Sequence, residues 1–189
     1  MLREHSKTGA MDVEIYRRLN RRDYLAALDT LVRAYEHEVV RFCTGMLGTD
    51  GEDVAQEVFL SAYDAMPRFK QTASVRTWLY SIARNQCRKA LREHRRRQHR
   101  YRQARDIAQN AHSELSDQSG PESDDPIELI PTLLQELNEQ ERAIVLMRSR
   151  EALTHDDIAK MLGISKRSVE RKWSQALKTL GGRLKDAMG

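Results

Sequence analysis

The chain of 189 residues is 40% hydrophobic, 32% charged and 6% aromatic, with a mean hydropathy of -0.70 and a formal net charge of +4. That length and composition allow one ordinary domain or two small ones and argue against a large single core. No apolar run approaches the roughly 20 residues that cross a bilayer, and no signal-type apolar stretch opens the sequence, so a soluble, cytoplasmic protein without membrane insertion is expected.

Helix formers dominate, Pro and Gly are scarce, and no alternating β-branched run appears, so the expected fold class is all-α. Residues 1–11 carry little apolar content and are expected to fray, with a first short helix over 12–20. Asp23 can cap a helix running through Leu28, Leu31, Val32 and Tyr35 and on through Val39, Val40, Cys43, Met46 and Leu47, with Gly48 as its stop. A helix from about Asp50 to Met66 follows, and Pro67 ends it. After the loop RFKQTAS, Ser74 can cap a long helix that starts at Val75 and enters an arginine run. The stretch SELSDQSGPESDDP (Ser113 to Pro126) is polar, acidic and turn-rich and reads as a flexible linker. From Pro131 to Met188 helical periodicity returns. The expected organisation is therefore a tail with a short helix (1–22), a first small helical domain (23–105), an acidic linker (106–130) and a second small helical domain (131–189).

The modest net charge hides blocks of opposite sign. Residues 84–105 carry 10 Lys and Arg against 1 acid, residues 106–141 carry none against 10, and residues 142–189 carry 11 against 5. Two basic blocks flanking an acidic segment suggest two nucleic-acid-facing modules and a connector. The two cysteines, Cys43 and Cys87, are too few for a disulfide framework or a metal knuckle. Each sits in an apolar-periodic helix and reads as a small buried hydrophobe. No metal, no cofactor and no constellation of catalytic side chains is expected, and the protein does not read as an enzyme.

Three local patterns carry chemistry. In the helix around 50–66, Val54, Val58, Phe59, Ala62 and Ala65 form an apolar stripe, and Asp53, Gln56 and Glu57 gather beside it. Alone, such a patch is an ordinary solvated face with acids near a helix N-terminus. In ASVRTWLYSIARN, Trp78 and Tyr80 stand beside Arg76 and Arg84, a mixture of aromatics and cations that suits unstacked bases and phosphates. Core packing is the equal alternative for Trp78. In THDDIAKMLGISKRSVERKWSQALKTL, Thr154 caps a short helix, Gly163 permits a sharp turn and a basic helix begins near Ser165, which is the helix-turn-helix pattern. Val169, Trp173, Ala176, Leu177 and Leu180 are expected to face inward. Ser165, Lys166, Arg167, Ser168, Glu170, Arg171 and Ser174 remain for the DNA, with Lys178 on the flank.

The order of these motifs closely resembles the bacterial extracytoplasmic-function sigma factors, compact members of the sigma-70 family, over about Tyr24 to Leu180. The resemblance implies that the D-x-x-Q-E residues Asp53, Gln56 and Glu57 dock on the clamp helices of the large catalytic subunit of core RNA polymerase. It implies that Phe69, Lys70, Ser74, Arg76, Thr77, Trp78, Arg84, Asn85 and Arg88 recognise and open the minus-ten promoter element. The acidic linker would pass through the polymerase active-site cleft. The second domain would read the minus-thirty-five element of promoter DNA through its helix-turn-helix and touch the flap of the other large subunit. An anti-sigma factor is an expected partner.

Two departures bear on this. Primary sigma factors carry paired tryptophans at the melting helix, whereas this chain has Trp78 followed by Leu79, which implies stringent promoter choice. Relatives often show T-V-K-S-R in the recognition helix, whereas this chain has Ser168, Val169, Glu170, Arg171 and Lys172, so its preferred sequence is not transferable. A stand-alone helix-turn-helix regulator with a helical dimerisation or sensor domain is the alternative, but it leaves the acidic patch, the basic helix and the linker without a role.

Overall fold

The computed structural model describes residues 2–109, 132–150 and 153–188, with side chains described for 11–48, 50–103, 132–150 and 153–183. Among the described residues all regular structure is helical. The helices are α1 (Leu2–Asn20), α2 (Tyr24–Leu47), α3 (Gly51–Ala65), α4 (Val75–Gln109), α5 (Glu139–Ser149), α6 (His155–Leu162) and α7 (Lys166–Met188). Short 3-10 turns over Gly48–Asp50 and Met66–Arg68 join α2 to α3 and end α3, and a further helical turn covers 132–136.

The capping residues act where the sequence places them. Asp23 Oδ1 accepts the Ala26 amide at 3.3 Å, and Gly48, with φ of 74°, ends α2 by donating to the Thr44 carbonyl. Gly51 opens α3 where a Cβ would collide with the backbone of Thr44, so only glycine lets α3 leave α2 at that angle. Helix α1 departs from expectation. The sequence reading starts it at Asp12, but it begins at Leu2, because a run with no proline extends a helix already anchored by buried Ile15 and Leu19. Residues 113–126, read as a linker, lie outside the described residues.

Helices α1 to α4 pack around Leu31, Tyr35, Val39, Phe42, Met46, Val58, Leu79 and Tyr80. Cys43 and Cys87 meet inside this core with their sulfurs 3.7 Å apart, both as free thiols. Helices α5 to α7 pack around Ile144, Leu146, Met147, Ile158 and Val169. The two units are also joined to each other, α2 against α5 and α4 against α6. Gly45 is the contact point of the first pair, where an added Cβ would lie 2.6 Å from Leu146 Cδ2.

Arg142 fixes that junction. It is 6% exposed, and its guanidinium donates to the carbonyls of Leu134 (2.7 Å), Gln135 (2.7 Å) and Leu137 (3.2 Å), to Gln135 Oε1 (2.6 Å) and across the junction to the Met46 carbonyl (2.6 Å). Met46 lies near the C-terminus of α2, where helix carbonyls lack an internal donor. A planar fork of five N–H groups satisfies several such acceptors at once.

Candidate nucleic-acid interface

Three exposed surfaces matter. On α3, Asp53, Gln56 and Glu57 are all exposed while Ala55, Val58 and Phe59 are buried. Leu60, 58% exposed, continues the Asp53–Glu57 face one turn further and adds an apolar anchor that the sequence reading passed over. Beside it, Gln56 shares a groove with Glu36, His37, Val40, Arg41, Glu52 and Ala55 between α2 and α3.

The second surface is the loop before α4 and the first turns of that helix. Ser74 caps α4 as expected, accepting the Thr77 amide at 3.1 Å and pairing with the Thr77 hydroxyl at 2.8 Å. Trp78 is half-buried and stacks on Phe69, centroids 4.4 Å apart at 17°, and Phe69 in turn stacks on Tyr16 at 6.4 Å. The Tyr16 hydroxyl donates to the Ala73 carbonyl (3.3 Å) and accepts the Val75 amide (3.1 Å), so α1 holds the loop at its junction with the helix. Burial pushes the Tyr16 phenol pKa above its ordinary value. Arg76 pairs with Glu38 at 3.0 Å and lies over the Tyr80 ring. Lys70 and Asn85 are exposed, and Arg84 is half-buried, its pKa lowered by desolvation and by Arg88.

The third surface is built by α6 and α7. Thr154 and Asp157 form a reciprocal capping box, and Gly163, with φ of 64°, turns the chain so that the Ile164 amide reaches the Ala159 carbonyl at 3.1 Å. Ser165 Oγ accepts the Ser168 amide at 3.2 Å and so starts α7. Val169 and Ala176 are fully buried and Trp173 half-buried, leaving Arg167, Glu170, Arg171, Ser174 and Lys178 exposed. Leu177 corrects the sequence reading: expected to face inward, it is 47% exposed, because its angular position falls between Trp173 and Glu170 at the edge of the apolar stripe. Ser165, Arg167, Ser168 and Arg171 line one shallow depression at the start of the helix. Lys166 pairs with Asp156 at 2.9 Å, and Glu170 Oε1 lies 3.9 Å from His155 Nδ1.

Comparison with known proteins decides what these surfaces belong to. Residues 31–97 match the family model for Sigma-70 region 2 and residues 127–180 that for Sigma-70, region 4. The RNA polymerase sigma-H factor of Pseudomonas aeruginosa is 30% identical over 163 residues, covering 82% of this chain and 84% of that protein. The ECF RNA polymerase sigma factor SigC of Mycobacterium tuberculosis is 30% identical over 138 residues, 72% of each. The chain belongs to the sigma-70 family, in its extracytoplasmic-function branch. The fold agrees with solved sigma-factor structures. CnrH in complex with the cytosolic domain of CnrY aligns with a TM-score of 0.67 over 93% of this chain and 98% of that one, at 18% identity. RpoE of Bartonella quintana in complex with the anti-sigma factor NepR aligns with a TM-score of 0.63 over 83% and 96%, at 16% identity.

In this sigma factor the region 2 and region 4 units touch at a chemically informative point. Arg88 Nε pairs with Glu139 Oε1 at 2.7 Å, at the first turn of α5. Arg84, Arg88 and Arg95 of α4 share a depression there with Asn138, Glu139 and Gln140. The motif residue Arg88 thus already holds an anionic oxygen. Glu38, Glu139 and Tyr16 escaped the sequence reading because their partners lie dozens of residues away, and Arg142 because no local spacing marks the carbonyls of the preceding turn and of Met46 that it satisfies. Among the described residues no His, Cys, Asp and Glu cluster could hold a metal ion, and no helix is long and apolar enough to cross a membrane.

Proposed function

We propose that this sigma factor works through a division of labour among the three surfaces, acting with core RNA polymerase in the cytoplasm and performing no catalysis of its own. Asp53, Gln56 and Glu57, with Leu60 as apolar anchor, dock on the polymerase clamp. Phe69 to Ser74 and the α4 residues Arg76, Thr77, Trp78, Arg84, Asn85 and Arg88 engage the minus-ten element. The Phe69–Trp78 stack is a ready platform for an unstacked base. Arg167, Glu170, Arg171 and Ser174 read the minus-thirty-five element, with Lys178 on phosphate, while Ser165 and Ser168 shape the helix start. The acidic linker, 106–130, lies in the polymerase cleft. An anti-sigma factor covers these surfaces when the protein is held inactive, a reading supported by the likeness in fold to RpoE, whose structure is a complex with the anti-sigma factor NepR.

The observation that carries this reading is that Asp53, Gln56 and Glu57 on α3 and Arg167, Glu170, Arg171 and Ser174 on α7 are exposed while the apolar residues of both helices join one core. The test is transcription by core polymerase plus this chain from a promoter library randomised at both elements. Reversing Asp53 and Glu57 to lysine should abolish transcription by weakening polymerase binding, with desolvated charge partners worth about 2–5 kcal/mol. Arg171→Ala or Glu170→Ala should relax the preference at one or two minus-thirty-five positions and leave the minus-ten preference intact. A chain that binds promoter fragments yet directs no transcription with core polymerase would instead be a stand-alone regulator.

A further inference from the structure

We propose that the first turn of α6 decides which charged side chains of α7 reach DNA: His155 is a positioning residue that steers Glu170 toward its base, and Asp156 withholds Lys166 from phosphate. Both roles rest on the base reading proposed for α7, and both residues lie outside that helix.

Three polar residues open α6, and one of them is committed to its own helix. The Asp157 carboxylate accepts the Thr154 hydroxyl at 2.6 Å and the Thr154 amide at 3.3 Å. That reciprocal cap fixes the turn and leaves His155 and Asp156 to meet α7. The Lys166 ammonium donates to Asp156 Oδ2 at 2.9 Å, and Glu170 Oε1 lies 3.9 Å from His155 Nδ1. Lys166 and Glu170 are four residues apart, so they form one row along α7, and Arg167, Arg171 and Ser174 form the next. Helix α6 engages the first row. The second is exposed, with Arg167 and Arg171 lining the depression beside Ser165 and Ser168.

Helix stability does not call for His155. An acid such as Asp156 favours the dipole at a helix N-terminus, whereas an imidazole that takes up a proton there opposes it. The Nε2 atom is buried with no hydrogen-bond partner among the described residues, in a ring 6.4 Å from that of Trp173. An unmet buried nitrogen is a cost that phenylalanine in the same place would avoid. What phenylalanine lacks is Nδ1. The neighbouring carboxylate favours the tautomer with its proton on Nδ1, which turns an N–H toward Glu170. A separation of 3.9 Å is too long for a hydrogen bond. The contact therefore sets the direction of the Glu170 carboxylate and leaves it, 49% exposed, able to accept from a base. Asp156 acts more firmly. Its hydrogen bond with Lys166 holds the lysine pKa above its ordinary value and its own below. A lysine neutralised in this way releases few counterions from DNA.

The test uses the complex with core polymerase. Base preference is read by transcription from a promoter library randomised across the minus-thirty-five element, and affinity by anisotropy on one promoter over a range of salt. Circular dichroism would verify the fold of each variant. Glu170→Ala should relax discrimination at its position about fivefold or more. His155→Phe keeps a ring beside Trp173 and should relax the same position at least about twofold, adding nothing in a chain that also carries Glu170→Ala. His155→Asn returns an amide N–H near the place of Nδ1 and should restore most of the preference. Asp156→Asn should keep the preference and steepen the log-affinity against log-salt slope by about 1. Adding Lys166→Gln should cancel that steepening.

A parental preference in His155→Phe overturns the steering role. So does a change at another position, an effect additive with Glu170→Ala, or a loss that His155→Asn does not restore. If Glu170→Ala itself keeps the parental preference, the base-reading role of Glu170 fails and the steering role falls with it, whereas the salt slopes still decide Asp156. An unchanged slope in Asp156→Asn, or a steepening that survives Lys166→Gln, overturns the withholding of Lys166.

Discussion

The region 2 and region 4 units are assembled in opposite ways. In the region 4 unit helix α7 is set by its neighbours in sequence. Thr154 pairs with Asp157, Gly163 turns the chain, Ser165 caps α7, and each partner is within a few residues. In the region 2 unit the loop before α4 is set from a distance. Tyr16 clamps Ala73 and Val75, Glu38 holds Arg76, and Glu139 of the other unit holds Arg88. A locally built element keeps its shape when its surroundings change, whereas one built from remote contacts responds to whatever displaces them. The first arrangement suits the base-reading role proposed for α7, and the second suits the capture of opening DNA proposed for the loop before α4.

The largest expected break in this scheme is Arg142→Ala. It leaves acceptors at Leu134, Gln135, Leu137 and Met46 without their donor in a nearly water-free position. Each unsatisfied buried group costs on the order of 1–3 kcal/mol, so a loss of about 3 kcal/mol or more is expected in urea denaturation. Arg142→Lys should recover little, because one ammonium cannot fork to acceptors in several directions.

Removing one hydroxyl from each unit sharpens the contrast. Tyr16→Phe deletes both hydrogen bonds that this residue makes to the loop, leaving the Gln71–Asn20 bond, and should cost about 1–2 kcal/mol while slowing open-complex formation. Ser165→Ala deletes one cap and should cost about 1 kcal/mol, with hydrogen exchange raised only in the first turn of α7. Exchange that rises around Phe69–Val75 in the second variant, or stays local in the first, would break the comparison.

The same difference explains what could be read from the chain. The turn between α6 and α7, the caps at Asp23 and Ser74, and the stop at Gly48 were legible because each acts on backbone groups within one turn. The acidic face of α3 was legible from helical period, although Leu60 within it was not, since one exposed leucine has no distinguishing pattern. The start of α1, the outward position of Leu177, and the partners of Arg76, Arg88 and Arg142 depend on which surfaces meet in three dimensions. Arg142 precedes AIVLM, an apolar run that gives no hint that the charged residue is buried with it.

A smaller effect concerns the junction between the units. Glu139→Gln removes the anion from Arg88, in a pair whose side chains are 22% and 43% exposed. Partly exposed pairs contribute roughly 0.2–1 kcal/mol, so the free chain should bind a minus-ten single strand about two- to fivefold more tightly. Glu139→Asp should change little. An unaltered affinity in the glutamine variant would show that Glu139 does not compete for that position.

The smallest effects carry opposite signs in the two units and so separate them by pH alone. Asp12, in α1, accepts the Tyr35 hydroxyl at 2.6 Å, yet burial raises its pKa above the ordinary 3.8, with Tyr35 and Arg76 opposing the shift. A carboxyl with a raised folded value binds its proton more tightly in the folded state. Its contribution is therefore fully present below pH 3.8 and is lost as pH climbs through the raised value. Asp156, at the start of α6, behaves in reverse, because the hydrogen bond from Lys166 lowers its pKa below 3.8. Its contribution is present above pH 3.8 and is lost as pH falls through the lowered value. Asp12→Asn should thus make the urea midpoint relatively higher at pH 7 than at pH 3, since the neutral amide carries no burial penalty for charge. Asp156→Asn should lower the midpoint slightly at pH 7 and converge on the parent in acid. The exposed Asp156 pair makes that second change the harder to resolve, so the sign of the Asp12 variant decides. A midpoint for Asp12→Asn that falls, relative to the parent, between pH 3 and pH 7 would mean that the Tyr35 hydrogen bond and Arg76 outweigh burial, and that remote assembly stabilises the charged form after all.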